Sequence, residues 1–455
     1  MRSEAAAELT LHLDEHDTRP LPVQLTAQIR ELITAGQLSP GDPIPSTRAL
    51  CTQLGVSRGT VVAAYEQLSA EGYLHSERGS GTRIHPGLQP LPAATQEVRG
   101  REASKSLSTL TPGIPDVSTL IDPTWRAAWR EAANNTEALP VAGSMALRRE
   151  IAHHLRHMRG VIAHPEHIIV TSGAREGLMV LLHAMGTRLR VGVESPGYPS
   201  LRRVPELLGH QLVEVGTDAH GVREDALQPM DALICTPSHQ YPHGGSLPAQ
   251  RRTAIARWAE LNNAWIIEDD FDSELRYEGQ PLPALTALAP ARTALLGTFS
   301  TLVSPTIACG YILVPPSLFD ATLRIRTLLS QPAGAITQRA LTHYMATGAL
   351  RRRTQKLRRT YARRRDIVYQ ELGGLHDAEL RPIRGGLHAV ILCSRPAGEV
   401  VTGCAARSLG VTALDDYWGG AASSENGVVI GFGALEDDAL RRALQTLAYE
   451  LQRGG

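Results

Sequence analysis

Short apolar segments alternate with helical patterns through the middle of the chain, and this alternation constrains the fold more than any other feature. Buried strands are predicted at HIIVTSGA (167–174), ALICTPS (232–238) and AWIIEDD (264–270). Helices are predicted at REGLMVLLHAM (175–185) and AQRRTAIARWAELNN (249–263). Strands that alternate with helices form a largely parallel sheet that is covered on both faces. We therefore expect a large α/β body with its functional residues where the strands end.

The amino-terminal part of the chain has the pattern of a helix-turn-helix followed by a strand pair. Apolar residues recur at helical spacing over residues 21–36. Ser46 and Ser57 each precede a further helical pattern, where a serine side chain caps a helix, and Gly55 ends the first of these two helices. A three-residue turn separates them, as in helix-turn-helix proteins, whose second helix enters the major groove. The glycines of ERGSGT (77–82) predict the tight turn of a wing.

Charge does not by itself identify a nucleic-acid partner. Residues 19–85 contain six arginines and five acidic residues, a net charge of about +1 (six minus five), and the whole chain has 46 basic and 46 acidic residues. Because phosphate neutralisation dominates non-specific affinity for DNA, this balance also suits a small helical domain with solvated arginines. The order of the motifs, rather than charge, predicts DNA binding.

Cysteine usage and hydropathy predict the compartment. The five cysteines show no CxxC spacing and are odd in number, which argues against a disulfide framework or a structural zinc site. Acidic residues stand at the amino terminus, where a signal peptide would be basic and then apolar. No apolar run approaches the roughly 20 residues needed to span a bilayer. We therefore expect a soluble cytoplasmic protein with no membrane partner.

Five motifs together give the chain a family resemblance. They are SRGTVVAAYEQLSAEGYLHSERGSGTRI (57–84), TSGAREGL (171–178), ESPGYPSLRR (194–203), TPSHQYPHGG (236–245) and IIEDDFDSELRY (266–277). In this order they resemble the MocR subfamily of GntR-type transcription regulators. In that subfamily a winged helix-turn-helix precedes a domain with the fold of a pyridoxal-phosphate (PLP) aminotransferase.

The resemblance implies an α/β fold class. An N-terminal winged helix-turn-helix would be joined to a fold-type I aminotransferase-like domain, with a mixed, mostly parallel sheet, helices on both faces and a smaller C-terminal subdomain. We place the DNA-binding domain at residues 15–85 and the aminotransferase-like, effector-binding and dimerisation domain at residues 109–455. Residues 86–108, rich in Pro, Ala, Gly, Ser and charge, are predicted to be a flexible linker. The family also implies a homodimer that presents two winged helices to operator DNA.

The predicted DNA contacts lie at the start of the second helix, on the helix before it and in the wing. The guanidinium of Arg58 could form a bidentate hydrogen bond with a guanine or a phosphate. The short side chain of Thr60 would let the helix enter the groove deeply. A glycine in the wing allows close approach to a phosphate. The candidate DNA-binding residues are Arg48, Ser57, Arg58, Thr60, Arg78 and Gly79.

Part of a PLP site is recognisable in the body. In a working PLP enzyme a lysine forms the Schiff base, an acid pairs with the pyridine nitrogen, a phenol bonds the ring hydroxyl, and an arginine and a helix N-terminus hold the phosphate. By resemblance, Asp269 matches the acid, and Thr298 matches a hydroxyl ligand of the phosphate. The phosphate turn is matched by Ser172, Gly173 and Ala174, and the pocket walls by Tyr198, His239 and Tyr241.

The other part of that site is missing. Thr301 stands where the lysine belongs, Ala308 where the phosphate-binding arginine is usual, and Phe271 where a tyrosine follows the paired acids. NGVVIGF (426–432) also lacks the arginine that commonly receives a substrate carboxylate. The only two lysines, Lys105 and Lys356, fall in the linker and in an arginine-rich helical pattern. The sequence therefore predicts no internal aldimine, no catalytic residues and no covalent cofactor, and it argues against PLP.

Several alternatives remain open from the sequence. The surviving motifs either preserve a ligand pocket or only maintain the fold, and a buried histidine is more often satisfied by backbone groups than by a ligand. No pair of residues has metal-ligand spacing on one helix face, so no metal site is predicted. The nine basic residues within 350–366 either face DNA or form a solvated or salt-bridged surface.

Three functional hypotheses follow from these observations. The leading one is a dimeric transcription regulator, not an enzyme, that responds to a small-molecule effector of unknown identity held without a covalent bond. A second keeps the DNA role but binds PLP or a PLP adduct non-covalently. A third, an active aminotransferase with a DNA-binding head, conflicts with Thr301, because that chemistry needs a base at this place.

Overall fold

A computed structural model describes most of the chain, in ranges that are separated by short gaps. The described residues are 9–14, 17–77, 81–88, 108–277, 279, 282–419 and 425–453. They divide into two compact units, Met1–Ala103 and Ser104–Gly455. No helix among these residues is long and apolar enough to cross a bilayer.

The amino-terminal unit is a three-helix module with a β-hairpin. Its described elements are α1 (Leu21–Thr34), α2 (Thr47–Leu54), α3 (Arg58–Ala70), β1 (Leu74–Glu77) and β2 (Gly81–Ile84). The expected caps are confirmed: Ser46 Oγ accepts the backbone N–H of Ala49, and Ser57 Oγ accepts that of Thr60. Gly55 ends α2 in the left-handed conformation, with φ of 66°. The predicted helix, three-residue turn and helix are therefore present.

A small apolar core holds this module together. Leu25, Ile29, Val61 and Leu68 are fully buried between the helices. The hydroxyl of Tyr65 donates to Pro45 O at 2.8 Å from inside the same core. Because α3 buries this side, its opposite side and its amino-terminal turn face outward.

The second unit contains the remaining elements. Its described helices are α4 (Pro123–Ala133), α5 (Met145–Arg159), α6 (Ala174–Met185), α7 (Pro199–Leu207), α8 (Ala249–Leu261), α9 (Leu285–Leu288), α10 (Pro316–Leu329), α11 (Ala335–Ala346), α12 (Ala349–Leu372), α13 (Ala397–Ala406) and α14 (Asp437–Gln452). Its described strands are β3 (Ser108–Thr109), β4 (Ile168–Thr171), β5 (Arg190–Ser195), β6 (Gln211–Asp218), β7 (Gly221–Val222), β8 (Ala232–Cys235), β9 (Trp265–Asp270), β10 (Thr293–Thr298), β11 (Gly310–Leu313), β12 (Ala378–Leu380), β13 (His388–Cys393), β14 (Leu409–Gly410), β15 (Thr412–Ala413) and β16 (Gly427–Gly431).

The large sheet is mixed and mostly parallel, as predicted. Its strand order is β4-β11-β10-β9-β8-β5-β6-β7. Strands β10, β9, β8, β5 and β6 are parallel to one another, whereas β11 is antiparallel to both β10 and β4. Apolar clusters cover both faces, with Ile267 in one and Ile266 in the other. This pleat alternation also decides which acidic side chains of β9 share a face.

A second, four-stranded sheet of order β12-β13-β16-β15 forms the smaller subdomain. The body begins slightly before residue 109, because Ser108 and Thr109 pair in parallel with Leu409 and Gly410. Of the predicted linker, residues 89–107 lie outside the described residues.

The basic stretch on α12 is partly an internal seam. The buried guanidinium of Arg353 donates to Leu302 O at 2.7 Å and to Asp116 O at 2.6 Å. Arg364, also buried, pairs with Asp116 Oδ2 at 2.9 Å. Lys356 is exposed on the same helix. The salt-bridged interpretation therefore holds for Arg364, whereas Arg353 binds backbone carbonyls and anchors the loop that carries Thr301.

We predict that Arg353→Met lowers the free energy of unfolding of the body by about 1–3 kcal/mol, because it leaves buried carbonyl groups without a donor. Arg351→Met, at an exposed position on the same helix, is the control and should stay within about 0.5 kcal/mol of the parent. Urea unfolding followed by circular dichroism measures both. Equal stability of the two variants would show that the seam does not stabilise the loop.

Candidate functional site

One cavity of about 470 Å³ lies where β4, β9 and β10 end and α6 begins. Ten of the eleven pocket residues named from the sequence line it: Ser172, Gly173, Ala174, Tyr198, Tyr241, Asp269, Phe271, Thr298, Thr301 and Ala308. These residues come from distant parts of the chain. The fold therefore brings them to the carboxyl edge of the sheet, where parallel α/β proteins bind ligands.

Asp269 is the buried acid of this cavity. Its side chain is 3% exposed, and its Oδ1 has no hydrogen-bond partner among the described residues. Burial raises the pKa of this carboxyl well above its ordinary value, and the neighbouring carboxyls of Asp270 and Asp272 raise it further. A buried polar atom without a partner costs stability. The Asp269 carboxyl can therefore form a further hydrogen bond with a ligand in the cavity.

The pleat of β9 explains why a nearby arginine does not neutralise Asp269. Glu268 and Asp270 point to the opposite face, where the buried guanidinium of Arg159 lies 2.9 Å from Asp270 Oδ2 and 3.7 Å from Glu268 Oε1. Asp269 shares its face with Ile267 and faces the cavity.

Aromatic rings form the walls beside Asp269. The Tyr198 and Tyr241 ring centroids are 5.2 Å apart, and those of Tyr241 and Phe271 are 5.7 Å apart, both edge to face. Tyr241 also packs against Tyr417, with centroids 5.4 Å apart. Tyr198 is 41% exposed and stands at the entrance. The space between these rings suits a flat, aromatic ligand.

His239 is the exception among the predicted pocket residues, because it does not line the cavity. Its ring stacks behind Phe271, with centroids 5.9 Å apart and planes inclined by 22°. Its Nδ1 lies 2.8 Å from the buried carboxylate of Asp272. His239 thus supports the wall that Phe271 forms. The sequence placed His239 on the cavity surface, whereas in the structure it lies behind that wall.

His388, a polar residue that the sequence places around the cofactor cavity, does not line the cavity but completes this supporting layer. His239, Asp272 and His388 place their polar atoms within 4.8 Å of one another. The Nε2 of His388 lies 2.9 Å from Pro242 O, and burial lowers the pKa of this histidine to about 3. Each of the three side chains thus has a protein partner.

The turn predicted to hold phosphate is partly satisfied from within the protein. Gly173, with φ of 137°, precedes α6, and no side chain caps that helix at this residue. The backbone N–H of Ser172 donates to Glu176 Oε2 at 3.2 Å. The hydroxyl of Thr298 donates to Ser300 Oγ at 3.0 Å. Glu176 and Ser300 also line the cavity, although sequence reasoning missed both.

The two missing cations leave no charge at their positions. Thr301 is 7% exposed and carries a hydroxyl. Ala308 is exposed at the cavity edge and adopts the left-handed conformation, with φ of 42°. Where the sequence lacks the carboxylate-binding arginine, Val429 is buried in an apolar cluster with Tyr241 and Tyr417. Among the described residues that line the cavity, none comes from this segment, so it supplies no carboxylate receptor there.

The outward side of the amino-terminal module carries the predicted DNA contacts. Arg48, Ser57 and Arg58 are exposed, and Thr60 is half-buried, with its hydroxyl 2.9 Å from that of Ser57. Arg78 and Gly79 lie outside the described residues. The start of α3 is therefore open for a partner, and the individual contacts remain predictions.

Comparison with known proteins decides the family. Residues 21–84 match the family described as "Bacterial regulatory proteins, gntR family". Over 454 residues, covering 98% of this chain and 100% of the relative, the chain is 55% identical to the HTH-type pyridoxine biosynthesis transcriptional regulator PdxR of Corynebacterium glutamicum. It is also 30% identical to the probable rhizopine catabolism regulatory protein MocR of Rhizobium meliloti, over 96% of this chain and 95% of the relative.

The chain belongs to the MocR-type transcription regulators of the GntR family. Its body matches the crystal structure of an archaeal alanine:glyoxylate aminotransferase with a TM-score of 0.71 and 22% identity, over 77% of this chain and 91% of that one. A likeness at this identity shows the fold alone. This MocR-type regulator is thus a DNA-binding protein with an aminotransferase-like body.

This fold family implies PLP, and the residues present fit only part of that cofactor. The residues fit the ring, because Asp269 Oδ1 is buried beside aromatic walls and has no partner among the described residues. They do not fit the covalent bond, since Thr301 has no amine. They do not fit the phosphate either, since Ala308 has no charge and Glu176 already accepts the N–H of Ser172. The cavity is therefore suited to a ring, but not to PLP held as in an aminotransferase.

We predict that Arg58→Ala weakens operator binding by about 1–3 kcal/mol and leaves the fold intact, because the side chain is exposed at the start of the recognition helix. Arg30→Ala is the matched control. It removes the same charge, but Arg30 pairs with Glu71, which caps the far end of α3. Gel-shift titration at fixed salt measures both variants. Unchanged binding by Arg58→Ala would refute the recognition-helix assignment.

Proposed function

We propose that this regulator uses the cavity to bind a small ligand with a protonated, pyridine-type ring, without a covalent bond, and that this binding controls its action on operator DNA. The observation that carries the proposal is the buried Asp269 carboxyl, which lines the aromatic cavity and whose Oδ1 has no partner among the described residues. A ring N–H is the donor that would satisfy this atom, and the paired charges would make the hydrogen bond strong.

The raised pKa of Asp269 suits such a ligand. In the free protein, burial and the neighbouring acids favour the protonated carboxyl. A neutral pyridine nitrogen that enters the cavity can take this proton, and the product is a pyridinium beside a carboxylate. A ring that enters already protonated finds a carboxyl that releases its own proton to solvent. Either route ends in the same ion pair, between the walls of Tyr241 and Phe271.

The name of the Corynebacterium relative supports the regulatory role and the ligand class together. That protein, 55% identical over its whole length, is named as a regulator of pyridoxine biosynthesis, and pyridoxine contains a pyridine ring. We propose that this chain regulates the same kind of genes and responds to a ligand with that ring. The leading sequence hypothesis left the effector unidentified. The ligand proposed here has the pyridine ring of PLP, which the second hypothesis named as the effector.

Transamination does not belong to the proposed function. Thr301 offers neither an amine for a Schiff base nor a base for proton transfer. Val429, in the segment where the carboxylate-binding arginine is missing, is buried in an apolar cluster and carries no charge. We propose a homodimer, in which two copies of α3 face repeated half-sites, because the spacing of paired reading heads sets operator recognition in such proteins.

We predict that Asp269→Asn weakens the binding of pyridoxine by about tenfold to a hundredfold, because a charge-assisted hydrogen bond contributes roughly 1.5–3 kcal/mol. Asp320→Asn, at an exposed position, is the matched control and should bind like the parent. Isothermal titration calorimetry measures all three proteins. If Asp269→Asn binds as tightly as the parent, the carboxyl does not hold the ring.

We also predict that Thr301→Lys alone does not create tight PLP binding. The phosphate would still lack a cation at Ala308, and the ring hydroxyl would still face Phe271. The missing arginine contact alone costs about one to two decades of affinity. The triple variant with Thr301→Lys, Ala308→Arg and Phe271→Tyr should therefore bind PLP far more tightly than the single variant.

Visible absorption during titration with PLP measures this comparison. Thr306→Lys, an exposed position in the same loop, is the control for non-specific reaction of an added amine. Equal affinity of the single and triple variants would mean that Thr301 is an isolated loss in an otherwise intact PLP site.

A further inference from the structure

We infer that the ligand of this cavity carries no phosphate group, because the carboxylate of Glu176 occupies the place where a phosphate would bind. This inference rests on the proposed ring-binding function and narrows its ligand class. The ligand would be a protonated pyridine-type ring whose substituents are neutral or cationic.

Three of the predicted phosphate donors bind acceptors within the protein. The N–H of Ser172 donates to Glu176 Oε2 at 3.2 Å, and the N–H of Gly173 donates to Thr171 Oγ1 at 3.3 Å. The hydroxyl of Thr298 donates to Ser300 Oγ. A phosphate binds by accepting many such hydrogen bonds at once. Here it would have to displace internal acceptors first.

The carboxylate of Glu176 lies beside the predicted phosphate turn. Glu176 lies on the cavity wall, and its Oε1 is 2.6 Å from Arg326 Nη1. The side chain of Arg326 is 1% exposed and does not line the cavity, whereas that of Glu176 is 16% exposed. The arginine therefore stands behind the carboxylate and balances its charge from inside. A phosphate in the cavity would meet the carboxylate first, and like charges repel.

No other cation in the described cavity wall offsets this repulsion in the interior. Arg175 is the one arginine or lysine among those lining residues, and it is exposed at the rim. The positive end of the α6 dipole lies here, but Glu176 occupies its first turn and satisfies that preference itself. Thr301 and Ala308 supply no charge.

A rival arrangement is that Arg326 replaces the missing arginine after Glu176 swings aside. The geometry favours the arrangement in which Glu176 stays at the phosphate position, because Glu176 is held at both oxygens, by Ser172 and by Arg326. Moving it would expose a buried guanidinium whose Nε already lacks a partner among the described residues. A neutral hydroxymethyl group needs no such movement, since it can donate a hydrogen bond to the Glu176 carboxylate where it stands.

Calorimetric titration of the full-length protein with pyridoxine and with pyridoxine 5′-phosphate tests the inference. Both probes carry the same ring and neither has an aldehyde, so the amines of Lys105 and Lys356 cannot form an imine with them. We expect pyridoxine to bind about tenfold or more tightly than the ester, which corresponds to about 1.4 kcal/mol. We expect Glu176→Gln to reduce this preference or reverse it. Glu206→Gln, exposed on α7, should leave it unchanged.

Should Glu176→Gln unfold because Arg326 loses its partner, the double variant with Glu176→Gln and Arg326→Met removes both buried charges and should still reduce the preference. If the ester binds the parent as tightly as pyridoxine or more tightly, the inference is overturned, while ring binding stands. If a folded Glu176→Gln variant keeps the full preference, the role of Glu176 is overturned. If neither probe binds, the proposed ring-binding function fails, and the inference fails with it.

Discussion

The buried carboxyl of Asp269, whose Oδ1 has no partner among the described residues, is the constraint on which the site depends. β9 carries three consecutive acids, and its pleat sends Glu268 and Asp270 towards Arg159 and Asp269 towards the cavity. A buried acid is tolerated when it is protonated, paired or hydrogen-bonded. Among the described residues the cavity supplies aromatic rings beside Asp269 and no cation in its interior. Such a site is stabilised most by a ligand that brings a positive charge on a flat ring.

The rest of the body holds this arrangement in place. His239, fixed by Asp272, supports Phe271 from behind. Arg353 fixes the carbonyl of Leu302, next to Thr301. A cavity with a rigid wall and a preformed acid can bind a ring with little ordering cost, which compensates for the absence of a covalent bond. Under the proposed function, a threonine in place of the lysine changes the mode of binding but does not remove the site.

The sequence predicted those features that local patterns encode. Serine caps, the three-residue turn and the alternation of strands and helices depend on neighbours along the chain, and the structure confirms them. The structure also brings ten of the eleven pocket residues that the family motifs predicted to one cavity. His239 was misplaced, because a loop motif does not tell which side of a wall a residue occupies. Glu176 and Arg326 were missed, because their pairing joins two helices 150 residues apart.

The protonation state of the bound ring tests the central claim most directly. The nitrogen-15 chemical shift of ring-labelled pyridoxine, bound to the protein and followed over a range of pH, reports whether the nitrogen carries a proton. The account predicts a pyridinium signal in the complex at pH values where free pyridoxine has lost its ring proton, since Asp269 holds that proton at the nitrogen. A neutral-pyridine signal in the complex at those pH values would contradict the proposed pairing with Asp269.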